Sequence, residues 1–274
     1  MKSFFSLIIA RQRSGTGALG SILDQANNLH YVGEIFHPDN VGKPLNYYTF
    51  LLKKIKSNPS LIEPKYSKDL LGEFIHNSIG NSKKQIILDV KYSSLYQLNK
   101  GWCRPLSIPF ILEFAMSLNV PIIHLTRKNL VQVYVSGKLA ERNKVWHTDD
   151  IENIDINRVN IDANNLLEFL QFSSNEEVLV KNWLNRYDNL LTIDYSNLFS
   201  EEGKLNEEII ESLEKFLNTN ELKNLKPNTI KQAPISLVNS IQNFSEIYSV
   251  LENTEYFYML KEDISPSSNI SFQD

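Results

Sequence analysis

A short loop near the start of the chain combines small, hydroxyl-bearing and cationic residues. It runs Arg11-Gln12-Arg13-Ser14-Gly15-Thr16-Gly17. Gly15 and Gly17 let the backbone approach an anion, and the N-terminus of the helix predicted after them adds a positive dipole. Ser14 and Thr16 add hydroxyl donors, and Arg13 adds a charged donor that can form two hydrogen bonds. The pattern therefore predicts a P-loop-like phosphate-binding loop.

The loop departs from a Walker A sequence in a way that bears on its ligand. Walker A requires a glycine, four further residues and then Gly-Lys-Ser/Thr, with the lysine on the β- and γ-phosphates. No lysine follows Gly15 or Gly17, and the positive charge comes earlier, from Arg13. The missing lysine disfavours ordinary ATP or GTP hydrolysis and favours a nucleotide that presents a single 5′-phosphate-type group.

A second candidate anion-binding segment follows another apolar stretch, at residues 125–136. Arg127 comes directly after the predicted strand, and Asn129 is suited to cap the next helix. Ser136 lies seven residues after that cap, about two turns into the helix. An arginine at a strand edge and a hydroxyl on the following helix predict a clamp for one more phosphate.

The elements that must position both segments follow from an alternating pattern of strands and helices. Apolar stretches rich in β-forming residues predict strands at 4–10, 85–90, 120–125 and 189–195. Helical patterns lie at 18–23, 105–118, 130–142 and 163–187. This alternation predicts an α/β fold, a three-layer sandwich with a mostly parallel central sheet. Ligands of such sheets bind beyond the carboxyl ends of the strands, where both candidate segments fall.

Composition and charge limit the classes of protein that fit. The chain has 274 residues, of which 42% are hydrophobic and 22% charged, so a disordered or collagen-like chain is excluded. The length predicts one domain over residues 1–264 and a frayed tail at 265–274. Lys and Arg number 28 against 32 Asp and Glu, which disfavours nucleic acid and anionic membranes as partners. Cys103 is the single cysteine, so no internal disulfide can form.

The apolar stretch at 4–10 also imitates a signal peptide. It runs directly into Arg11 without a small-x-small cleavage site, so we interpret it as a buried strand. No later stretch approaches the roughly 18 apolar residues of a membrane span. We therefore expect a soluble, cytoplasmic protein without a membrane span.

With both anion-binding segments placed, the chain resembles the PAPS-dependent sulfotransferases, and most of all the bacterial carbohydrate sulfotransferases. In that family a loop of the form Arg-Ser/Thr-Gly-Ser/Thr holds the 5′-phosphosulfate, and residues 13–16 match it. An arginine and a serine eight or nine residues later hold the 3′-phosphate, as Arg127 and Ser136 would here. The segment at 33–38 and the strand ending in Lys91 extend the resemblance. Gln12 departs from it, because a proline usually stands at that position.

The resemblance implies a sulfotransferase that moves a sulfuryl group from 3′-phosphoadenosine-5′-phosphosulfate (PAPS) to a hydroxyl of a small molecule, a carbohydrate or glycan. The acceptor hydroxyl needs a general base. In the bacterial members the glutamate of the Gly-Glu segment is the base, which here is Glu34, with His37 as the alternative. Arg13 would stabilise the leaving phosphate. A sulfuryl group carries fewer charges than a γ-phosphoryl, so no metal is expected.

Three further residues are weaker candidates. Lys91 is expected to touch the sulfate or the acceptor, or else to be a solvated strand end. Lys231 is expected to supplement the grip on the 3′-phosphate, and Trp146 to stack on a sugar acceptor. The apolar patterns place Trp183 in the core and His124 in the core or near the site.

Glu34 has an alternative interpretation as a capping or surface-paired carboxylate.

Two other classes of function stay open at the level of sequence. An atypical P-loop kinase or nucleotide hydrolase would require Mg²⁺ and bind a triphosphate. A non-catalytic nucleotide-binding protein would bind the ligand without turnover.

Overall fold

A parallel sheet forms the centre of the fold. The computed structural model describes residues 5–43, 45–79, 82–98, 106–144, 158–228 and 236–261. The strands are β1 (Phe5–Ala10), β2 (Leu29–Tyr31), β3 (Gln85–Lys91), β4 (Ile122–Thr126) and β5 (Leu190–Asp194). The helices are α1 (Thr16–Leu23), α2 (Tyr47–Ser57), α3 (Ser67–Ile79), α4 (Tyr92–Gln97), α5 (Phe110–Ser117), α6 (Leu130–Asn143), α7 (Ala163–Leu184), α8 (Glu207–Leu217), α9 (Leu237–Ser240), α10 (Phe244–Leu251) and α11 (Tyr258–Lys261). Across these ranges the strand order is β2-β3-β1-β4-β5, and every pair is parallel.

The sheet and its flanking helices confirm the predicted α/β fold. β1, β3, β4 and β5 coincide with the four predicted strands to within two residues at each end. α1, α5, α6 and α7 overlap the predicted helical segments, although α1 begins two residues early, at Thr16, and α5 begins only at Phe110. β2 was not predicted, because three residues are too few to show an apolar period.

Successive strand residues point to opposite faces of the sheet, and both sets are mostly apolar here, so helices cover both faces. On one face Ile8, Ile87 and Ile123 form a continuous core with buried leucines of α1 and α8. On the other face His124 contacts Tyr92 of α4 through the pair Tyr92 Oη and His124 Nε2, 2.6 Å apart. The central strand β1 is buried along its whole length. This burial fixes the tip of β1, where the loop at residues 11–17 begins.

Backbone pairing brings the strand tips next to one another. Ala10, the last residue of β1, lies opposite Lys91 of β3 on one side and opposite Leu125 of β4 on the other. The strand order reverses at β1, because β2 and β3 lie on one side of it and β4 and β5 on the other. In parallel sheets such a reversal opens a crevice beyond the carboxyl ends of the strands. The loop after β1 therefore begins beside the carboxyl ends of both neighbouring strands.

Internal contacts divide the chain into two compact units. The first comprises the described residues up to Thr126 together with Asn182–Asn228, and it contains the whole sheet. The second comprises Arg127–Lys181 and the described residues after Asn228. That both belong to one domain over residues 1–264 stays a prediction, and the tail at 265–274 lies outside the described residues.

The second unit has its own apolar core. Buried side chains of α6 and α7 pack there with those of the three helices near the C-terminus. Asn129 caps α6, as predicted, with its Oδ1 accepting from the Gln132 N–H at 3.0 Å. Its Nδ2 donates to the carbonyl of Met259, which ties the start of α6 to α11. In the described part of the chain, no helix has both the length and the apolarity to cross a membrane.

Candidate active site

The loop after β1 has the backbone geometry of an anion cradle. Arg13 has a φ of 64° and Gly15 a φ of 87°, whereas Ser14 between them is not left-handed. Alternating left- and right-handed residues turn successive N–H groups into one concavity, which binds anions. Gly15 is also the N-cap of α1 and supplies no side-chain cap, so the first-turn amides face the loop without one.

Gly15 is required at its position for a second reason. A Cβ atom there would lie 2.4 Å from Cε2 of Tyr195, closer than any side chain tolerates. Tyr195 follows β5, in a turn where Asp194 Oδ1 accepts from the N–H of Ser196 at 2.9 Å. The ring of Tyr195 therefore rests on the loop backbone, a contact that the sequence pattern did not reveal.

Ser14 is the loop residue whose surroundings point most directly to a ligand. It is 1% exposed, and its hydroxyl has no hydrogen-bond partner among the described residues. Buried polar groups almost always have such a partner. A phosphate oxygen in the cradle would provide an acceptor for this hydroxyl, so the loop fits the predicted ligand.

Lys91, at the tip of β3, connects the loop to a pair of carboxylates. It is buried, and its Nζ donates to Thr16 Oγ1 and to both oxygens of Asp89, at 3.0 Å and 2.8 Å. The same atom lies 3.2 Å from Glu34 Oε1. Of the two expectations for Lys91, the solvated strand end is therefore wrong. Thr16, expected to face a phosphate, has its hydroxyl on this lysine.

Glu34 reaches Lys91 because the backbone beyond β2 stays paired with β3. The N–H of Val32 donates to the carbonyl of Ile87 at 3.1 Å, and Asp89 donates its N–H to the carbonyl of Gly33 at 3.1 Å. Gly33 then turns the chain with a φ of 73°. The Glu34 side chain is 25% exposed, so its carboxylate contacts both the buried lysine and solvent.

His37 is held differently. Its Nδ1 accepts from the N–H of Asp39 at 3.3 Å and so caps the short helical turn at Pro38–Asn40. The carbonyl of His37 accepts from Nδ2 of the buried Asn46 at 2.9 Å. These contacts give the imidazole a role in shaping the loop, and the His37 N–H donates to the carbonyl of Glu34 at 3.2 Å.

Tyr31 completes the cluster and was not predicted. Its hydroxyl donates to Asp89 Oδ2 at 2.7 Å, and its ring covers α1 so closely that a Cβ on Gly20 would lie 2.4 Å from it. Burial raises the pKa of Tyr31 well above its usual value, Asp89 and Glu34 raise it further, and a hydrogen bond with Thr16 opposes them. The sequence held one signal for this cluster: Asp89 and Lys91 lie two positions apart on a buried strand, and a buried acid needs a partner.

The residues predicted to hold a second phosphate lie in the second unit. Arg127 is buried, and its Nη2 donates to Oε1 of Gln132 at 3.0 Å. Ser136 is buried on α6. Trp146 and Lys231 lie outside the described residues. The loop, Lys91 and Glu34 are thus brought together within the first unit, whereas Arg127 and Ser136 belong to the second.

Other chemistry-bearing residues of the first unit have structural partners. His124 is buried beside Tyr92, and the guanidinium of Arg11 lies over the Tyr92 ring, 5.2 Å from its centre. Trp183 is buried and donates to the carbonyl of Leu106 at 3.1 Å. The core positions predicted for His124 and Trp183 are confirmed. Over the described ranges, no three His, Cys, Asp or Glu side chains are grouped so as to hold a metal ion.

No family model and no curated protein matches the sequence. Similar solved structures include a sulfotransferase domain from the curacin biosynthetic pathway, 13% identical over 81% of this chain and 75% of that chain, with a TM-score of 0.42. A sulfotransferase from Alicyclobacillus acidocaldarius is 10% identical over 97% of this chain and 98% of that chain, with a TM-score of 0.45. At these values a likeness does not establish a shared activity, which has to follow from the side chains of the site.

The raised pKa of Tyr31 predicts how stability depends on alkaline pH. The unfolded chain loses the phenolic proton above about pH 10, whereas the folded chain keeps it. The stabilisation is therefore complete below that pH and is lost as the pH rises toward the folded-state pKa. In Tyr31→Phe the fall of the unfolding free energy with pH should be shallower by up to about 1.4 kcal/mol per pH unit.

Urea denaturation between about pH 9 and 11.5 measures this slope. Circular dichroism at neutral pH serves as the control that Tyr31→Phe is folded. Equal slopes for the wild type and Tyr31→Phe would show that the Tyr31 hydroxyl is not held in its protonated form by the fold.

Proposed function

We propose that the protein is a sulfotransferase that moves a sulfuryl group from PAPS to a hydroxyl of a small-molecule acceptor, a carbohydrate or glycan. The observation that carries the proposal is the position of the Lys91 ammonium. It contacts Thr16 of the anion loop and lies 3.2 Å from a carboxylate oxygen of Glu34. One buried cation thus joins the loop suited to the phosphosulfate and the carboxylate suited to the acceptor.

At the donor end, the requirement is to stabilise a leaving phosphate. The bond from sulfur to the phosphate oxygen breaks as a bond from sulfur to the acceptor oxygen forms, and negative charge develops on the phosphate. The amides of the cradle, the guanidinium of Arg13 and the hydroxyl of Ser14 are donors suited to that charge. Lys91 would contact the sulfuryl oxygens. Preorganised donors of this kind act without reorganising during the reaction.

At the acceptor end, the hydroxyl must lose its proton as its oxygen bonds to sulfur. We assign Glu34 as the base, because its carboxylate lies beside Lys91 and keeps an exposed side from which an acceptor can approach. The proton moves from the hydroxyl to a Glu34 oxygen. His37 is the less suitable base, since its Nδ1 already accepts a backbone hydrogen bond.

The other assignments come from the resemblance to the family. Arg127, just before α6, and Ser136, on α6, would hold the 3′-phosphate of the donor. Lys231 would add to that contact, and Trp146 would stack on a sugar ring of the acceptor. No metal is required in this scheme, because the transferred group carries little charge.

Ligand-induced stabilisation tests the proposal. Adenosine 3′,5′-bisphosphate, the product left by PAPS, should raise the melting temperature without magnesium. At about 100 times its dissociation constant it adds about 2.7 kcal/mol, which for a chain of this size corresponds to roughly 5–10 °C. ATP with magnesium should have little effect. Differential scanning fluorimetry measures both.

Two outcomes would replace the proposal with another function. Stabilisation by magnesium and ATP but not by the bisphosphate would indicate an atypical P-loop kinase or nucleotide hydrolase. Stabilisation by the bisphosphate, without transfer of label from radiolabelled PAPS to any member of a glycan and metabolite library, would indicate a non-catalytic nucleotide-binding protein.

The base assignment predicts a specific defect in Glu34→Gln. The substitution preserves shape but removes the proton acceptor, so turnover should fall by roughly two to four decades. It also removes a negative charge beside the anionic donor, so affinity for the bisphosphate should be unchanged or higher. Initial rates and calorimetric titration measure the two effects.

Glu73→Gln is the matched control, because Glu73 pairs with Lys54 elsewhere in the same unit. It should leave both turnover and affinity unchanged. Wild-type turnover in Glu34→Gln would transfer the role of base to His37, or show that no side chain fills it.

A further inference from the structure

We propose that Asp89 and Tyr31 are positioning residues, which fix the Lys91 ammonium at the point where the sulfuryl group is transferred. The inference rests on the proposed function and extends it to two residues that touch neither donor nor acceptor in that scheme. The juxtaposition that supports it is a chain of contacts from the surface of α1 through the partly buried Tyr31 and the buried Asp89 to Lys91.

Asp89 has the geometry of a holder rather than of a reactant. It is 1% exposed, and both its oxygens accept from Lys91 Nζ, at 3.0 Å and 2.8 Å. Oδ2 also accepts from the Tyr31 hydroxyl at 2.7 Å. Asp89 and Lys91 lie on the same face of β3, because they are two positions apart. The carboxylate therefore supports the ammonium from within the first unit's core.

Tyr31 in turn fixes the carboxylate. Its ring lies against the backbone of α1 at Gly20, where any Cβ would meet ring atoms at 2.4 Å. The position of the phenol is thus set by packing, and its hydrogen bond sets the rotation of the Asp89 carboxyl. Tyr31 and Asp89 together hold the ammonium of the otherwise flexible Lys91 side chain in one position.

The arrangement explains how Lys91 can serve the donor. Its Nζ has three protons, and its contacts are with Thr16 Oγ1, Asp89 and Glu34. Glu34 is the partly exposed partner, whereas Asp89 is enclosed. When the anionic donor binds, the contact to Glu34 can be exchanged for a sulfuryl oxygen while Asp89 keeps the ammonium in place. This exchange also leaves Glu34 ready to accept the acceptor's proton.

Positioning and simple structural support predict opposite effects on the donor. Asp89→Asn removes a negative charge close to an anionic ligand, so electrostatics alone predicts unchanged or tighter donor binding. If Asp89 positions Lys91, turnover must nevertheless fall. A residue that only stabilises the fold would weaken binding and turnover together, in proportion to the folded fraction.

The test is a double-mutant cycle on turnover, with donor affinity measured by calorimetry and folding checked by circular dichroism. Asp89→Asn should lower turnover by roughly 10- to 100-fold, with donor affinity unchanged or higher. In a Lys91→Met background the same substitution should lower turnover no further, because Asp89 acts through the lysine and is left there as an unpaired buried carboxylate. Tyr31→Phe, a milder change, should lower turnover by roughly 3- to 10-fold and keeps the test valid if Asp89→Asn fails to fold.

Tyr187→Phe is the matched control. The Tyr187 hydroxyl donates to the carbonyl of Val120, which precedes β4 and so lies at the amino end of that strand, away from Lys91. It should leave turnover unchanged. Wild-type turnover in folded Asp89→Asn and Tyr31→Phe would overturn this proposal alone. Additive losses with Lys91→Met would overturn it as well. A wild-type protein that transfers no sulfuryl group from PAPS would instead reject the proposed function, and this inference with it.

Discussion

One buried ammonium, that of Lys91, is the interaction on which the rest of the site depends. Burying a charge costs several kcal/mol unless partners compensate it. Here the partners come from three elements: Thr16 from the start of α1, Asp89 from β3 and Glu34 from the segment after β2. Each of these elements must therefore keep its place for the charge to remain paired. The same requirement brings the loop after β1 and Glu34, the proposed base, to one point.

Two close approaches of aromatic rings fix α1 and the loop before it. Tyr195 rests on Gly15 and Tyr31 on Gly20, each so closely that no side chain could replace the glycine hydrogen. The loop amides are thereby held in their cradle before any ligand arrives, and such preorganisation is what gives fixed donors their catalytic value. The glycines of this segment thus serve packing as much as ligand approach.

Local patterns in the sequence predicted the strands and the loop, because buried parallel strands form continuous apolar runs and anion loops have a recognisable composition. Roles set by contacts between distant segments could not be predicted in this way. Tyr31 was missed because its role arises only when β2 pairs with β3, whereas Asp89 was missed although it shares a strand face with Lys91. Lys91 could not be distinguished from a solvated strand end, and Glu34 could not be assigned a partner. The contact of Tyr195 with Gly15 likewise joins distant segments and left no local signal.

The most direct test of the central role of Lys91 compares two ligands that differ by the sulfuryl group. Calorimetry would measure PAPS and adenosine 3′,5′-bisphosphate binding to Asp89→Asn and to Lys91→Met/Asp89→Asn, a pair that leaves no stranded buried carboxylate. Loss of the lysine should weaken PAPS binding by roughly tenfold or more and bisphosphate binding far less. Equal losses for both ligands, or no loss for either, would contradict the account.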